Sequence, residues 1–281
     1  MQTDIVLVVL FAAILHASWN AMMKVQGDRF MVITLMAFFM SMIGLPFIFY
    51  FGLPTPQLWP YVIASGVIHF IYKLMLINAY QHGDFGQVYP IARGGAPLLL
   101  LLASLLFLAD VKFTNWEIIG SVTLTSGLLL LIFNRGFKSL LANGKGILFA
   151  IITAMAIASY TYVDSIGTRI SGNALQYMAY FTFADGVPIF MYMLIKRKGS
   201  VIPAIKLNYK NGLITAGLSF LSYFLFLWAT THAPIALIAS VRETSVIFAV
   251  LIGIIFLKEK LGIWKILAAI TVLAGLVIMR I

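Results

Sequence analysis

Apolar residues in this chain do not alternate with polar ones as in a half-buried strand, nor recur on one stripe as in a surface helix. They run in long blocks separated by short polar breaks. A helix needs roughly 20 consecutive apolar residues to cross the hydrocarbon core of a bilayer. Ten blocks reach about that length: 4–24, 31–51, 60–81, 86–108, 115–134, 147–167, 174–195, 211–231, 235–257 and 262–280. The breaks carry turn residues, among them Gly27-Asp28, Pro54-Thr55-Pro56, Gly83-Asp84, Gly144 and Gly172-Asn173, and the longest runs from Lys196 to Lys210. The pattern predicts an all-α integral membrane protein of ten transmembrane helices, with no separate soluble domain.

Composition agrees. The chain is 62% hydrophobic and 10% charged, against about 45–50% and about 25% for soluble domains. Its net charge of +10 would suggest nucleic acid in a soluble protein. Here the Lys and Arg residues mostly flank apolar blocks, where they set topology, so no nucleic-acid partner is expected. There is no cysteine, which excludes disulfides and thiolate chemistry. Met1-Gln2-Thr3-Asp4 lacks a basic n-region, so the first block reads as a retained helix rather than a signal peptide.

Landmarks recur in one order along the two halves. Ile118–Gly127 resembles Ile266–Gly275, with Trp116 and Trp264 at matching points. His82 and Arg93 line up with His232 and Arg242 with a one-residue slip, and Gly44-Leu-Pro46 aligns with Gly186-Val-Pro188. Near the starts, Gly27-Asp28-Arg29 aligns with Gly167-Thr168-Arg169. The chain therefore divides into residues 1–134 and 147–281, each a five-helix repeat. An odd helix count turns the second repeat over relative to the first, the inverted plan of secondary transporters, whose sites lie at the repeat interface near mid-membrane.

The stretch Gln87–Pro97, Q-V-Y-P-I-A-R-G-G-A-P, places Arg93 inside the fourth block, beside Pro90, Gly94 and Pro97. A charge at that depth costs at least roughly 2.5 kcal/mol. Pro and Gly release backbone polar groups that only protein or a wet cavity can accommodate. Arg93 is thus the leading ligand-contact candidate, with Pro90, Gly94 and Pro97 as helix-bend positions. The competing reading of Arg93 is a structural ion pair with Asp185 or Glu243. His69 and Lys73 share a face of the third block, Tyr89 lies one turn before Arg93, and Arg242 stands at the repeat position of Arg93. His16, Trp19 and Asn20 lie together on the first block and Tyr160 on the sixth. Asp185 and Glu243 are acids at depth, while Asp164, close to the end of the sixth block, is expected to be solvated. These three are the candidates for ion pairing or for coupling to a driving ion.

The stretch A-Y-x-x-G-D-F…V-Y-P-I-A-R-G-G-A-P (Ala79–Pro97), F-L-K-E-K-L (Phe256–Leu261) and the five-plus-five plan resemble the EamA-type transporters of the drug/metabolite transporter superfamily. His16–Lys24 together with V-Y-P-I-A-R-G also resembles a subgroup associated with phosphonate utilisation. The resemblance implies a cavity lined by the first, third, fourth, sixth, eighth and ninth helices, with the fifth and tenth peripheral. The links after odd-numbered blocks hold thirteen of the 19 Lys and Arg residues, Lys24, Lys145 and Lys210 among them; the other face holds Lys112, Arg169 and Arg280. The positive-inside rule then places both termini outside the cytoplasm, whereas the family is usually drawn with both inside.

No H-E-x-x-H, G-x-S-x-G or G-x-x-x-x-G-K-[ST] motif is present, so neither catalysis, metal nor nucleotide cofactor is expected. The expectation is a secondary transporter in a bacterial inner membrane, monomeric or homodimeric. Its partners are membrane lipid and a small polar substrate with an anionic group: an amino acid, an organic acid or an aminophosphonate. The rivals are an exporter of drugs or aromatic compounds, a membrane enzyme acting on lipid-linked substrates, and a channel.

Overall fold

Backbone N–H and C=O groups in hydrocarbon must pair within their own segment, and each apolar block is accordingly helical. The computed structural model describes residues 2–24, 29–83, 85–107, 113–135, 144–197, 199, 201–256 and 262–279. Gly27, Asp28, Asp84, Lys112, Lys138, Lys198, most of the F-L-K-E-K-L motif (Leu257–Leu261) and Arg280 lie outside the described residues. The helices are α1 (Thr3–Lys24), α2 (Arg29–Phe51), α3 (Trp59–His82), α4 (Phe85–Phe107), α5 (Asn115–Leu130), α6 (Gly144–Ser171), α7 (Ala174–Lys196), α8 (Val201–Thr230), α9 (Ile235–Arg242), α10 (Ser245–Ile255) and α11 (Ile263–Ile278). A 3-10 turn, Leu131–Arg135, extends α5. Among the described residues, nine spans are long and apolar enough to cross a membrane, α9 and α10 together forming the ninth, and α11 is a shorter apolar helix. The chain is an all-α multi-pass membrane protein.

Three boundaries differ from those read off hydropathy. First, α6 continues past residue 167 to Ser171, and the Thr168 hydroxyl donates to the Asp164 carbonyl within the added turn. Second, α8 begins at Val201, inside the Lys196–Lys210 link. Val201 is buried against Met31, Leu35 and Met193, and this contact holds the early turns of α8 although Lys206 and Lys210 make them too polar to read as membrane helix.

The third difference is a break in the ninth block, within a stretch that holds neither Gly nor Pro. Glu243 N–H donates to the Ser240 carbonyl and Thr244 N–H to the Val241 carbonyl, at 3.0 Å each. The Val246 and Ile247 amides likewise bond three residues back. These tightened turns separate α9 from α10 at membrane depth, the kind of irregularity that often marks a functional hinge. By contrast, α4 runs as one helix through Pro90 and Pro97.

The principal packing pairs are α2 with α7, α3 with α6, α1 with α8, α4 with α6, α1 with α9 and α10, and α5 with α11. Two crossings are too close for side chains larger than hydrogen. A Cβ on Gly127 would stand 2.9 Å from the Val272 nitrogen and 3.0 Å from the Ala268 carbonyl oxygen. One on Gly275 would meet Leu124 and, at 2.7 Å, the Gly120 carbonyl oxygen. Adding 148 to residues 120, 124 and 127 gives 268, 272 and 275, so the two sets of contacts are reciprocal. The α2–α7 crossing behaves alike: Gly44 faces Ala179 and Gly186 faces Ala37.

Candidate functional site

Buried charge at the bundle centre begins with α4. Gly94 lets this helix approach Leu128 and Leu129 of α5, and Gly95 lets it approach the Ala154 methyl of α6, where an added Cβ would stand 3.0 Å away. These contacts fix one side of α4. Arg93 is 7% exposed, and its Nη2 lies 3.0 Å from Oε1 of Glu243 at the α9–α10 break. The Nε of Arg242 lies 4.0 Å from the same oxygen, and its guanidinium sits 3.9 Å above the Phe226 ring. Two guanidiniums thus share one carboxylate. The sharing is loose: Arg93 Nε, Arg242 Nε and Glu243 Oε2 have no hydrogen-bond partner among the described residues. A buried charge-bearing group left short of partners is costly, and here the unfilled donors border a cavity.

Lys73 and Asp185 form a second ion pair, joining α3 to α7. Both are buried, and one compensates the other. A third group surrounds Asp164, which is fully buried on α6. Its Oδ1 accepts from the Tyr177 hydroxyl at 3.0 Å, and its Oδ2 from the Tyr223 hydroxyl at 2.5 Å. The His69 Nε2 stands 3.1 Å from Oδ2. The solvated Asp164 expected from sequence is therefore corrected: α6 outlasts its apolar block, and the carboxylate turns inward onto three donors. Asn173 caps α7, accepting from the Leu175 and Gln176 amides, and so starts that helix one turn before Tyr177.

The cavity has a volume of about 250 Å³. His16, Trp19, Asn20, His69, Lys73, Tyr89, Arg93, Tyr160, Asp185 and Arg242, all singled out from sequence, line it together. Glu243 and Asp164 stand behind that lining, each in contact with a lining residue. The Trp19 indole N–H is a further buried donor without a partner among the described residues. His16 packs edge-on to Trp19, with ring centroids 4.9 Å apart, and its carbonyl accepts from the Asn20 amide. Tyr72, Tyr80, Phe181 and Tyr223 complete a largely aromatic wall.

The lining also includes Met36 and Met40 of α2 and Phe181 and Asp185 of α7, two helices outside the set implied by the family resemblance. Two partners went unread in the sequence: Tyr177, which holds Asp164, and Phe226, which faces Arg242. Nothing distinguishes these two from the many other aromatic residues of the apolar blocks. They act through tertiary neighbours alone.

The cavity is offset toward one end of the bundle. Its lining takes Ala21 late in α1, Ile33 early in α2, Tyr80 late in α3, Tyr89 early in α4 and Gly253 late in α10. In helices of alternating direction these positions share the end that bears the lysine-rich links. At the opposite end, Tyr180 donates to the Gly52 carbonyl at 3.0 Å, and Arg169 donates to the Thr230 and Ala233 carbonyls.

The fold and site define a multi-pass membrane protein with a chamber among its helices, lined by aromatic side chains and a few charged ones. Residues 144–281 match the profile of the EamA-like transporter family. Residues 144–281 are accordingly an EamA-like domain, which supports an EamA-type transporter of the drug/metabolite transporter superfamily. No curated protein matches the chain. A solved structure described only as "Crystal structure of protein" superposes with a TM-score of 0.77 at 17% identity, covering 100% of this chain and 99% of that one. At that identity the likeness speaks for the fold alone.

Proposed function

We propose that the chain is a secondary transporter that moves a small metabolite with an anionic group by alternating access between two inverted five-helix halves, residues 1–134 and 147–281. The observation that carries this reading is the sharing of the Glu243 carboxylate by Arg93 and Arg242, with guanidinium N–H groups left unfilled beside the cavity. Two cations on one anion leave a site that is one negative charge short. A cargo carboxylate or phosphonate supplies that charge and can accept paired N–H donors from a planar guanidinium. Lys73 and Asp185 compensate each other, and Asp185, at the cavity wall, is a partner for a cargo ammonium where one is present.

Several features support the inverted-repeat mechanism. The packing pairs exchange when the halves are swapped: α3 with α6 becomes α8 with α1, and α4 with α6 becomes α9 and α10 with α1. The reciprocal glycine crossings point the same way. The α9–α10 break sets a helix terminus and the Arg242 guanidinium beside the cavity, a feature shared with transporters that have discontinuous helices. With lysine-rich links on the cytoplasmic side, the state described here is inward-facing.

A thermal-shift screen of amino acids, organic acids and phosphonates identifies the cargo, and counterflow in proteoliposomes measures its exchange. Arg93→Ala abolishes counterflow of an anionic cargo while leaving a folded protein. Undiminished exchange removes Arg93 from the site. The aromatic wall of Trp19, Tyr72, Tyr160 and Tyr223 favours a second reading, an exporter of aromatic compounds. A neutral aromatic cargo would be insensitive to the loss of Arg93.

A further inference from the structure

Donors from three helices converge on a carboxylate that does not itself line the cavity. Tyr177 of α7, Tyr223 of α8 and His69 of α3 all meet Asp164 of α6. Asp164 lies seven residues before the end of α6, and Tyr223 seven before the end of α8; Tyr177 is the fourth residue of α7. At about 1.5 Å per residue, the cluster sits roughly 10 Å inside the end of the bundle opposite the lysine-rich links. It lies between the cavity and that end. We propose that Asp164 is the proton-binding site of this transporter, and that its protonation by way of His69 opens the end of the bundle that this structure holds shut.

Ionised, the carboxylate is acceptor-only and satisfies all three donors. Charge-assisted bonds of this kind are roughly twice as strong as neutral ones. One added proton turns a carboxylate oxygen into a donor. Oδ2 already faces both the Tyr223 hydroxyl and the His69 ring, so the added proton removes the charge assistance from both contacts and the tie between α6 and its neighbours slackens. His69 lines the cavity while touching Asp164. A proton taken up on one imidazole nitrogen can leave from the other to Oδ2, which returns the ring to neutrality. The ring is held for this role between Tyr160, at 3.9 Å, and Phe181, at 4.5 Å.

The groups facing the cluster are few. On α3 they are His69, Tyr72, whose ring meets that of His69 edge-on, and Ser65, which is fully buried one turn before His69 beside the Tyr177 hydroxyl. Tyr177 comes from α7, Tyr223 from α8 and Tyr160 from α6 itself. From α4 and α9, Arg93 and Arg242 act across Tyr160 and are already engaged with Glu243. Lys73 is held by Asp185. The proton thus binds a carboxylate outside the cavity lining while the cargo anion meets the guanidiniums, and binding of one need not displace the other. This inference rests on reading the cavity as a transport path, but its test needs no cargo.

The chain contains no cysteine, so Ser65→Cys introduces a single thiol behind the cluster without further engineering. The full-length variant, in vesicles of one orientation, is treated from the lysine-poor face with a membrane-impermeant maleimide. Rates are normalised to a free thiol at each pH. Labelling is expected to rise several-fold between about pH 8 and about pH 5.5, the range over which His-linked switches act, and to lose its pH dependence when Asp164→Asn is added. Labelling that is flat with pH while Asp164 is intact overturns the proposal. So does a pH response that survives Asp164→Asn. Val62→Cys, nearly a turn closer to the same end and also buried, serves where Ser65→Cys does not fold.

Discussion

Arg93 and Glu243 meet at 3.0 Å across the bundle, one from an unbroken helix and the other from the break between two short ones. Their substitutions have unequal effects. Removing Glu243 strands two buried guanidiniums, whereas removing Arg93 leaves the carboxylate still facing Arg242 at 4.0 Å. Breaking a buried ion pair costs about 3–5 kcal/mol. Glu243→Gln is therefore expected to reach that range and Arg93→Gln to fall below it. Thermal unfolding in detergent gives the order, and an Arg93 variant less stable than the Glu243 variant contradicts this account.

Lys73 and Asp185 form a closed pair, and the two substitutions should not be additive. Lys73→Met or Asp185→Asn alone leaves one buried charge unpaired. The double variant leaves none and should regain much of the loss, with a coupling of about 0.5–3 kcal/mol. Additive shifts in melting temperature would mean that the two charges are stabilised separately.

The Arg242 guanidinium carbon lies 3.9 Å from the centre of the Phe226 ring. Lysine in its place keeps the charge but loses the planar, bidentate and stacking geometry. A hydrogen bond to a charged group contributes about 1.5–3 kcal/mol, and a tenfold change in affinity is about 1.4 kcal/mol. Arg242→Lys should therefore raise the half-saturation concentration of an anionic cargo by about tenfold in counterflow. An unchanged value means that Arg242 does not touch the cargo.

Glycine substitutions separate close packing from empty space. Gly275→Val drives a branched side chain into the backbone of α5, and overpacking costs typically about 1–3 kcal/mol. A Cβ on Gly217 meets nothing within 4 Å, so Gly217→Ala should be neutral or stabilise α8 by about 0.5–1 kcal/mol. Melting curves of the two variants should move in opposite directions or, at the least, differ clearly.

Much of the fold was legible because a bilayer imposes length and hydrophobicity on every spanning segment, and all ten blocks are helical. Helix ends were less so. The early turns of α8 are helical because Val201 packs on Met31 and Met193, a tertiary contact invisible to a window that sees only Lys206 and Lys210. The break at Glu243 has no Gly or Pro to announce it and is set by local three-residue hydrogen bonds. At the site, intramembrane charge alone picked out Arg93, Lys73, Asp185 and Arg242, all of which line the cavity. Asp164 was misplaced because hydropathy ended its helix a turn too soon, and Tyr177 and Phe226 were lost among the other aromatic residues.

Where α5 crosses α11, main chain lies directly against main chain at Gly120, Gly127 and Gly275. No layer of side chains separates them, so nothing is available to slide or shear. The two helices make a single strut joining the early and late parts of the polypeptide. Neither part can swing as an independent block; each must flex around its own end of that strut.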